Sequence, residues 1–296
     1  MNTSCRFLPL FLASLWAASF LLLPGSSWAA QKDPEKGEKR YKVEVKSNIP
    51  YYQGKDAHKV KHKLDLYLPR DKKDFPVVLF VHGGAWILGD KKFFGVHEAV
   101  GEMFARHGVG AVLTNYRLSP KVKHPEHVKD VARAFAWVHK NIKKFGGRPD
   151  QLFVCGHSAG GHLAALLATD ESYLKAEGLT LKAIRGAMPI SGVYVIPKGM
   201  FADVFSRDPK VRKEASPINQ VRASCPPFLI IYADRDFPWC DSTSVTFCKA
   251  LRGKKVAAGT LEIKGRNHID ILTRIKRDGD PCARALLDFV AKHQGH

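Results

Sequence analysis

The chain has 296 residues, of which 45% are hydrophobic and 25% charged, and a formal net charge of +19. That length buries a sizeable core, and the absence of internal repeats, low-complexity tracts or a Pro/Ser-rich linker excludes a chain of separate modules. Lysines dense in 32–46, 54–63 and 70–73 would favour acidic polymers or lipid headgroups, but they interleave with Asp and Glu and lack the aromatics of a nucleic-acid platform, so no nucleic-acid partner is expected.

The chain opens with Arg6, an apolar run from Phe7 to Leu23, the breaker Pro24-Gly25 and the small-residue end Ser27-Trp28-Ala29-Ala30. This order predicts a cleaved secretory signal over 1–29, with the mature protein secreted or periplasmic and in contact with a membrane only during export. Its apolar run stops short of the ~20 residues of a spanning helix. A single domain then occupies 30–296. Five cysteines remain after cleavage (Cys155, Cys225, Cys240, Cys248 and Cys282), and none has the paired spacing of a zinc site. An oxidising compartment permits a disulfide among the later ones.

Tyr41 to Val45 and the alternating Leu64, Leu66 and Leu68 predict two early strands, which leave no room for a large N-terminal cap. Short, wholly apolar strands then alternate with amphipathic helices. Val77 to Val81 precedes a helix near 96–107, Val109 to Thr114 one near 126–144, and Leu152 to Cys155 one near 159–168. Ile184 to Ile190, Pro227 to Tyr232 and Gly259 to Ile263 continue the series, and a helix over 282–292 closes it. Strands apolar on both faces require a parallel sheet covered by helices, so the fold class is doubly wound, mostly parallel α/β. The irregular stretch 192–224 is the candidate for a small lid over the site.

Gly156-His157-Ser158-Ala159-Gly160 lies between a predicted strand and a predicted helix. This is G-x-S-x-G in the strand, turn and helix context that projects a serine above a sheet, at a helix N-terminus that favours developing negative charge. A serine hydroxyl needs a base, and the base needs a carboxylate to orient it. In this context the acid and then the histidine follow the serine in chain order. The loop after Phe228–Tyr232 reads Ala233-Asp234-Arg235-Asp236, and the loop after the last strand reads Gly265-Arg266-Asn267-His268. His268 is the expected base. Asp236 is preferred to Asp234 as the acid because it stands two residues further from the strand and reaches back toward the histidine.

Backbone N–H groups must meet the carbonyl oxygen as it gains charge. His82-Gly83-Gly84-Ala85-Trp86 directly follows the strand 77–81, so Gly83 and Gly84, with Ala159 after the serine, are the expected donors. Trp86, Phe237 and Trp239 flank the predicted centre and are candidates for contact with an aromatic or acyl group. Arg117, after the strand 109–114, reads as a brace beneath the glycine loop.

His82 to Trp86, Asn115-Tyr116-Arg117-Leu118 and Gly156 to Leu163 together resemble the esterase branch of the α/β-hydrolases. That branch includes hormone-sensitive-lipase-like, feruloyl-esterase-like and kynurenine-formamidase-like members, and the resemblance covers most of 60–293. It implies hydrolysis of a small-molecule or polymer-linked ester with a short to medium or aromatic acyl group, and no cofactor. His157 stands where lipase-like members often carry Asp, and the N-terminus reads as strands instead of a cap; both departures point to the compact, feruloyl-esterase-like side. An arylformamidase-type amidase and a non-catalytic binding module are the competing readings.

Overall fold

The computed structural model describes residues 39–295, and the leader expected over 1–29 lies outside them. Eight strands form one sheet: β1 (Val43–Pro50), β2 (Lys63–Pro69), β3 (Phe75–Val81), β4 (Gly110–Thr114), β5 (Gly147–His157), β6 (Ile184–Ile190), β7 (Phe228–Arg235) and β8 (Ala258–Asn267). Their spatial order is β1-β2-β4-β3-β5-β6-β7-β8. The pairs β1–β2 and β2–β4 are antiparallel, and the remaining pairs are parallel.

The strand Phe-Pro-Val-Val-Leu-Phe-Val of β3 is buried along its whole length. Because side chains alternate across a strand, Val77, Leu79 and Val81 enter one core layer while Val78 and Phe80 enter the other. Helices α2 (Glu126–Asn141), α3 (Ala159–Thr169) and α7 (Cys240–Gly253) cover the first face through Val128, Val131, Phe135, Leu163 and Phe247. Helices α1 (Val96–Arg106), α8 (Asp270–Thr273) and α9 (Pro281–His293) cover the second through Val100, Phe104, Ile271 and Phe289. Every residue of α3 is buried, which matches its Ala, Gly and Leu composition and its weak amphipathicity.

The predicted elements all form, with shifted ends. β1 runs past the predicted Val45 to Pro50 through a bulge between Lys46 and Ile49, where Asn48 takes a φ of 61° and its N–H donates to Asp65 Oδ1 at 2.6 Å. The polar Lys46-Ser47-Asn48 breaks the apolar alternation, as an edge strand tolerates.

The stretch 192–224 contains α5 (Ala202–Phe205) and α6 (Pro209–Glu214), the latter capped by Asp208 and started by Pro209, with α4 (Glu171–Lys175) preceding β6. Ile196, Val204, Phe205 and Ala215 are buried in the α2–α3–α7 layer. The five described cysteines are all free and buried, so the disulfide permitted by the sequence does not form. Cys225 and Cys248 sit in one core layer and Cys155 and Cys282 in the other, and burial pushes the Cys155 and Cys240 thiols well above their usual range and so disfavours the thiolate.

Candidate active site

Ser158 occupies the turn between β5 and α3 with φ 56° and ψ −120°. A serine in that region is strained and is retained only when its neighbours dictate it. Here they do: a Cβ on Gly160 would lie 2.0 Å from Val81 O, and one on Gly156 would lie 2.3 Å from Gly160 O. The turn is also fastened at the serine itself, whose N–H donates to Ile190 O at 2.9 Å while its carbonyl accepts from His162 N–H at 3.0 Å.

The proposed base and acid are joined directly, with His268 Nδ1–H donating to Asp236 Oδ1 at 2.6 Å. Asp236 Oδ1 also accepts from Phe237 N–H at 2.8 Å, and Oδ2 accepts from Ser191 Oγ–H at 2.5 Å and Ala233 N–H at 3.1 Å. Burial works against ionisation of this carboxyl, but the bonds from His268 and Ser191 outweigh it and hold it well below the usual carboxylate range. Asp234 has a different task. Its two oxygens accept from Gly265 N–H and Arg266 N–H, each at 3.0 Å, and so tie the end of β7 to that of β8.

Ser158 and His268 line one cavity of about 310 Å³, and no hydrogen bond joins the two side chains directly. Gly83 and Gly84 line the same cavity. A Cβ on Gly83 would sit 3.2 Å from Ser158 Cβ, which places this backbone against the serine. Gly84 takes a φ of +111°, and a Cβ there would lie 2.1 Å from Leu88 O, so the loop closes only with glycine at this position. The N–H groups of Gly83, Gly84 and Ala159 donate to no acceptor among the described residues, as donors kept for a ligand oxygen would be.

The motif after β4 holds this loop in place. Asn115 Oδ1 accepts from Lys91 N–H at 2.7 Å and its Nδ2–H donates to Asp90 Oδ2 at 2.7 Å. Tyr116 Oη–H donates to His82 O at 3.2 Å, and its ring stacks on the His82 ring at 4.4 Å. Arg117 is a brace of another joint than the one predicted. Its guanidinium binds Asp130 and Glu126 of α2 and Asp56, at 2.8 to 3.1 Å, so it ties α2 to the loop before β2 instead of supporting the glycines.

Of the three aromatic candidates only Phe237 reaches the cavity, where its ring packs on that of His268 at 4.1 Å between centroids. Trp86 is fully buried on the opposite face, against Phe201 and Phe205, and its Nε1–H donates to His162 Nδ1 at 3.2 Å. His162 Nε2–H in turn donates to Ala215 O at 2.7 Å. This chain of bonds clamps 192–224 to Trp86 and α3, which explains why the predicted lid supplies no wall of the cavity. Trp239 points into solvent beyond it. The walls come instead from Leu88, Phe93 and Val96 on one side and Ile269 and Leu272 on the other, with His97 and His157 among the polar groups.

His157 carries a role that the motif alone did not reveal. Burial holds its pKa down at about 3, so the ring is neutral and its Nε2–H donates to His268 O at 2.8 Å. The residue before the serine thereby fastens the loop that presents the base. Ser191, at the end of β6, likewise had no motif to announce it, although a hydroxyl at a strand's C-terminal end beside the proposed acid is the available signal. Among the described residues no group of three His, Cys, Asp or Glu could hold a metal ion.

Residues 64–187 match the family model described as BD-FAE. Esterase LipC of Mycobacterium tuberculosis is 32% identical over 250 residues, covering 77% of this chain and 61% of that protein. Isoprenylcysteine alpha-carbonyl methylesterase ICME of Arabidopsis thaliana is 27% identical over 284 residues, covering 88% of this chain and 63% of that protein. The chain thus spans about three fifths of the length of these relatives. Among solved structures, a truncated carbohydrate esterase from gut microbiota superposes with a TM-score of 0.71 at 22% identity, covering 86% of this chain and 98% of that one. Inhibited esterase B from Lactobacillus rhamnosis superposes with a TM-score of 0.71 at 20% identity, covering 90% and 91%. The chain therefore belongs to the α/β-hydrolase fold, and the proteins it is similar to are esterases.

Proposed function

We propose that the protein is an exported serine hydrolase that cleaves carboxylic esters through an acyl-enzyme. Ser158 Oγ attacks the ester carbonyl carbon as His268 Nε2 takes its proton, and Asp236 stabilises the imidazolium that forms. Gly83, Gly84 and Ala159 N–H groups receive the oxyanion. His268 then returns the proton to the departing alcohol, and water, activated by the same base, releases the acid and restores the serine.

The observation that carries this reading is the 2.6 Å contact of His268 with Asp236 on a cavity shared with Ser158 in its strained turn. The cavity is at the small end of ligand sites and is walled by Leu88, Phe93, Val96, Phe237, Ile269 and Leu272, which supports a short to medium or aromatic acyl group. The esterase relatives support the same chemistry.

A fluorophosphonate probe should label the wild-type protein and leave Ser158→Ala unlabelled. The same variant should lose at least about a hundredfold in turnover of a p-nitrophenyl ester while keeping its fold, because only the hydroxyl can form the acyl-enzyme. A smaller loss would mean that another group is the nucleophile.

A further inference from the structure

The apolar surface does not stop where the cavity does. Phe237 and Ile269, at its mouth, are 61% and 59% exposed, and Leu88 and Phe93 complete the rim. Phe94 is 90% exposed with its ring against that of Phe93 at 4.9 Å, and Trp239, two residues beyond Phe237, is 69% exposed. Neither Phe94 nor Trp239 lines the cavity, so a small ester bound at Ser158 would not cover them. Contiguous exposed apolar side chains of this kind mark a surface that meets another apolar phase.

The charges around the rim identify that phase. Lys92 precedes Phe93, and Arg235 stands just before the loop that carries Phe237; both side chains are exposed, in long ion pairs with Asp65 at 3.8 Å and Asp234 at 4.0 Å that leave them open to a further anion. The rim carboxylates are engaged: Asp90 by Asn115 and Lys61, Asp270 by Arg274 and the Asn267 N–H. Asp241, beyond Trp239, opposes this trend. The whole chain carries +19, so its long-range attraction is toward anionic surfaces. Aliphatic and aromatic side chains bordered by Lys and Arg suit acyl chains beneath anionic headgroups.

We propose that the rim around the cavity mouth docks on an anionic lipid surface, with Phe94 and Trp239 inserted among the acyl chains and the mouth facing the layer. This deepens the esterase reading by assigning its substrates to esters partitioned into such a layer, and it rests on that reading only for the substrate.

Flotation with vesicles tests it. Wild type and Ser158→Ala should both float with 1:1 phosphatidylcholine:phosphatidylglycerol vesicles at low salt, and much less with phosphatidylcholine alone or in high salt. The double variant Phe94→Glu/Trp239→Glu should lose at least about tenfold in partitioning, and Phe94→Ser an intermediate amount, while both hydrolyse soluble p-nitrophenyl acetate at the wild-type rate. Three results would overturn the proposal: wild type left in the soluble fraction, equal binding to neutral vesicles, or a double variant that floats like wild type. A wild type that elutes as two chains beside a monomeric double variant would also overturn it, by assigning the face to a second copy. An inactive wild type that floats as described would sink the esterase reading and leave the docking surface standing.

Discussion

Replacing Asp236 by Asn changes little in volume and much in charge, so it isolates what the carboxylate does for His268. In the resting protein Asp236 accepts four hydrogen bonds, from His268, Phe237, Ser191 and Ala233. An amide has one acceptor oxygen, so its NH₂ must face either the Phe237 and His268 donors or the Ala233 and Ser191 donors. In the first orientation the imidazole must present Nδ1 as an acceptor, its proton moves to Nε2, and it can no longer take the proton of Ser158. In both orientations the imidazolium loses its counter-charge. Over roughly 4 Å between charge centres at an effective dielectric of about 20, that attraction is about 4 kcal/mol, or about 10³ in rate. The tautomer penalty brings the loss in turnover to about 10⁴. Asp234→Asn is the matched control: it weakens the bonds to Gly265 and Arg266, which should lower stability slightly and cost less than about threefold in turnover. Steady-state hydrolysis of a p-nitrophenyl ester, with unfolding curves for each protein, reads both. If Asp236→Asn kept a tenth of the activity the charge argument would fail, and if the two variants exchanged effects Asp234 would become the acid.

Gly160→Ala should abolish activity and yield little folded protein, since the added Cβ would meet the backbone oxygen of Val81 at 2.0 Å; a soluble, active variant would contradict the packing of the serine turn. Asp130, buried with His62, Arg117 and Arg133 around it, is lowered from 3.8 to about 2 because those hydrogen bonds outweigh the burial that opposes its ionisation. A depressed carboxyl stabilises the fold above its unfolded value and loses that contribution as pH falls through its folded one. The stability gap between wild type and Asp130→Asn in urea should therefore shrink by about 2 kcal/mol between pH 6 and pH 2, and a gap independent of pH would refute the assignment. His157→Phe removes the N–H that holds His268 O, and should lower kcat about tenfold with KM nearly unchanged; a change confined to KM would show that His157 acts on the substrate instead.

Local patterns were enough to reveal the sheet and which loops gather at its end. An apolar run such as Val77 to Val81 can be buried on both sides only within a layered sheet, and the glycines two residues before and after Ser158 are required by a turn with no room for a Cβ at Gly156 or Gly160. Because each strand delivers its following loop to the same sheet end, chain order sufficed to bring the loops of Ser158, Asp236 and His268 to one place. What stayed out of reach was direction. Trp86 and Phe237 both stand within two residues of a predicted site residue, yet Trp86, at a φ of 62°, turns into the α2–α3–α7 layer while Phe237 lies on His268. The irregular pattern of 192–224 makes it the candidate lid, but the bond from His162 to Ala215 draws it to the far face. The wall it was expected to form comes from Phe93 and Val96, which carry no motif. Sequence determines which loops meet, since strand order and turn sterics are local; which side chains of those loops face the cavity was decided only by tertiary packing, because it depends on backbone angles and on the face of the sheet that each segment finds to cover.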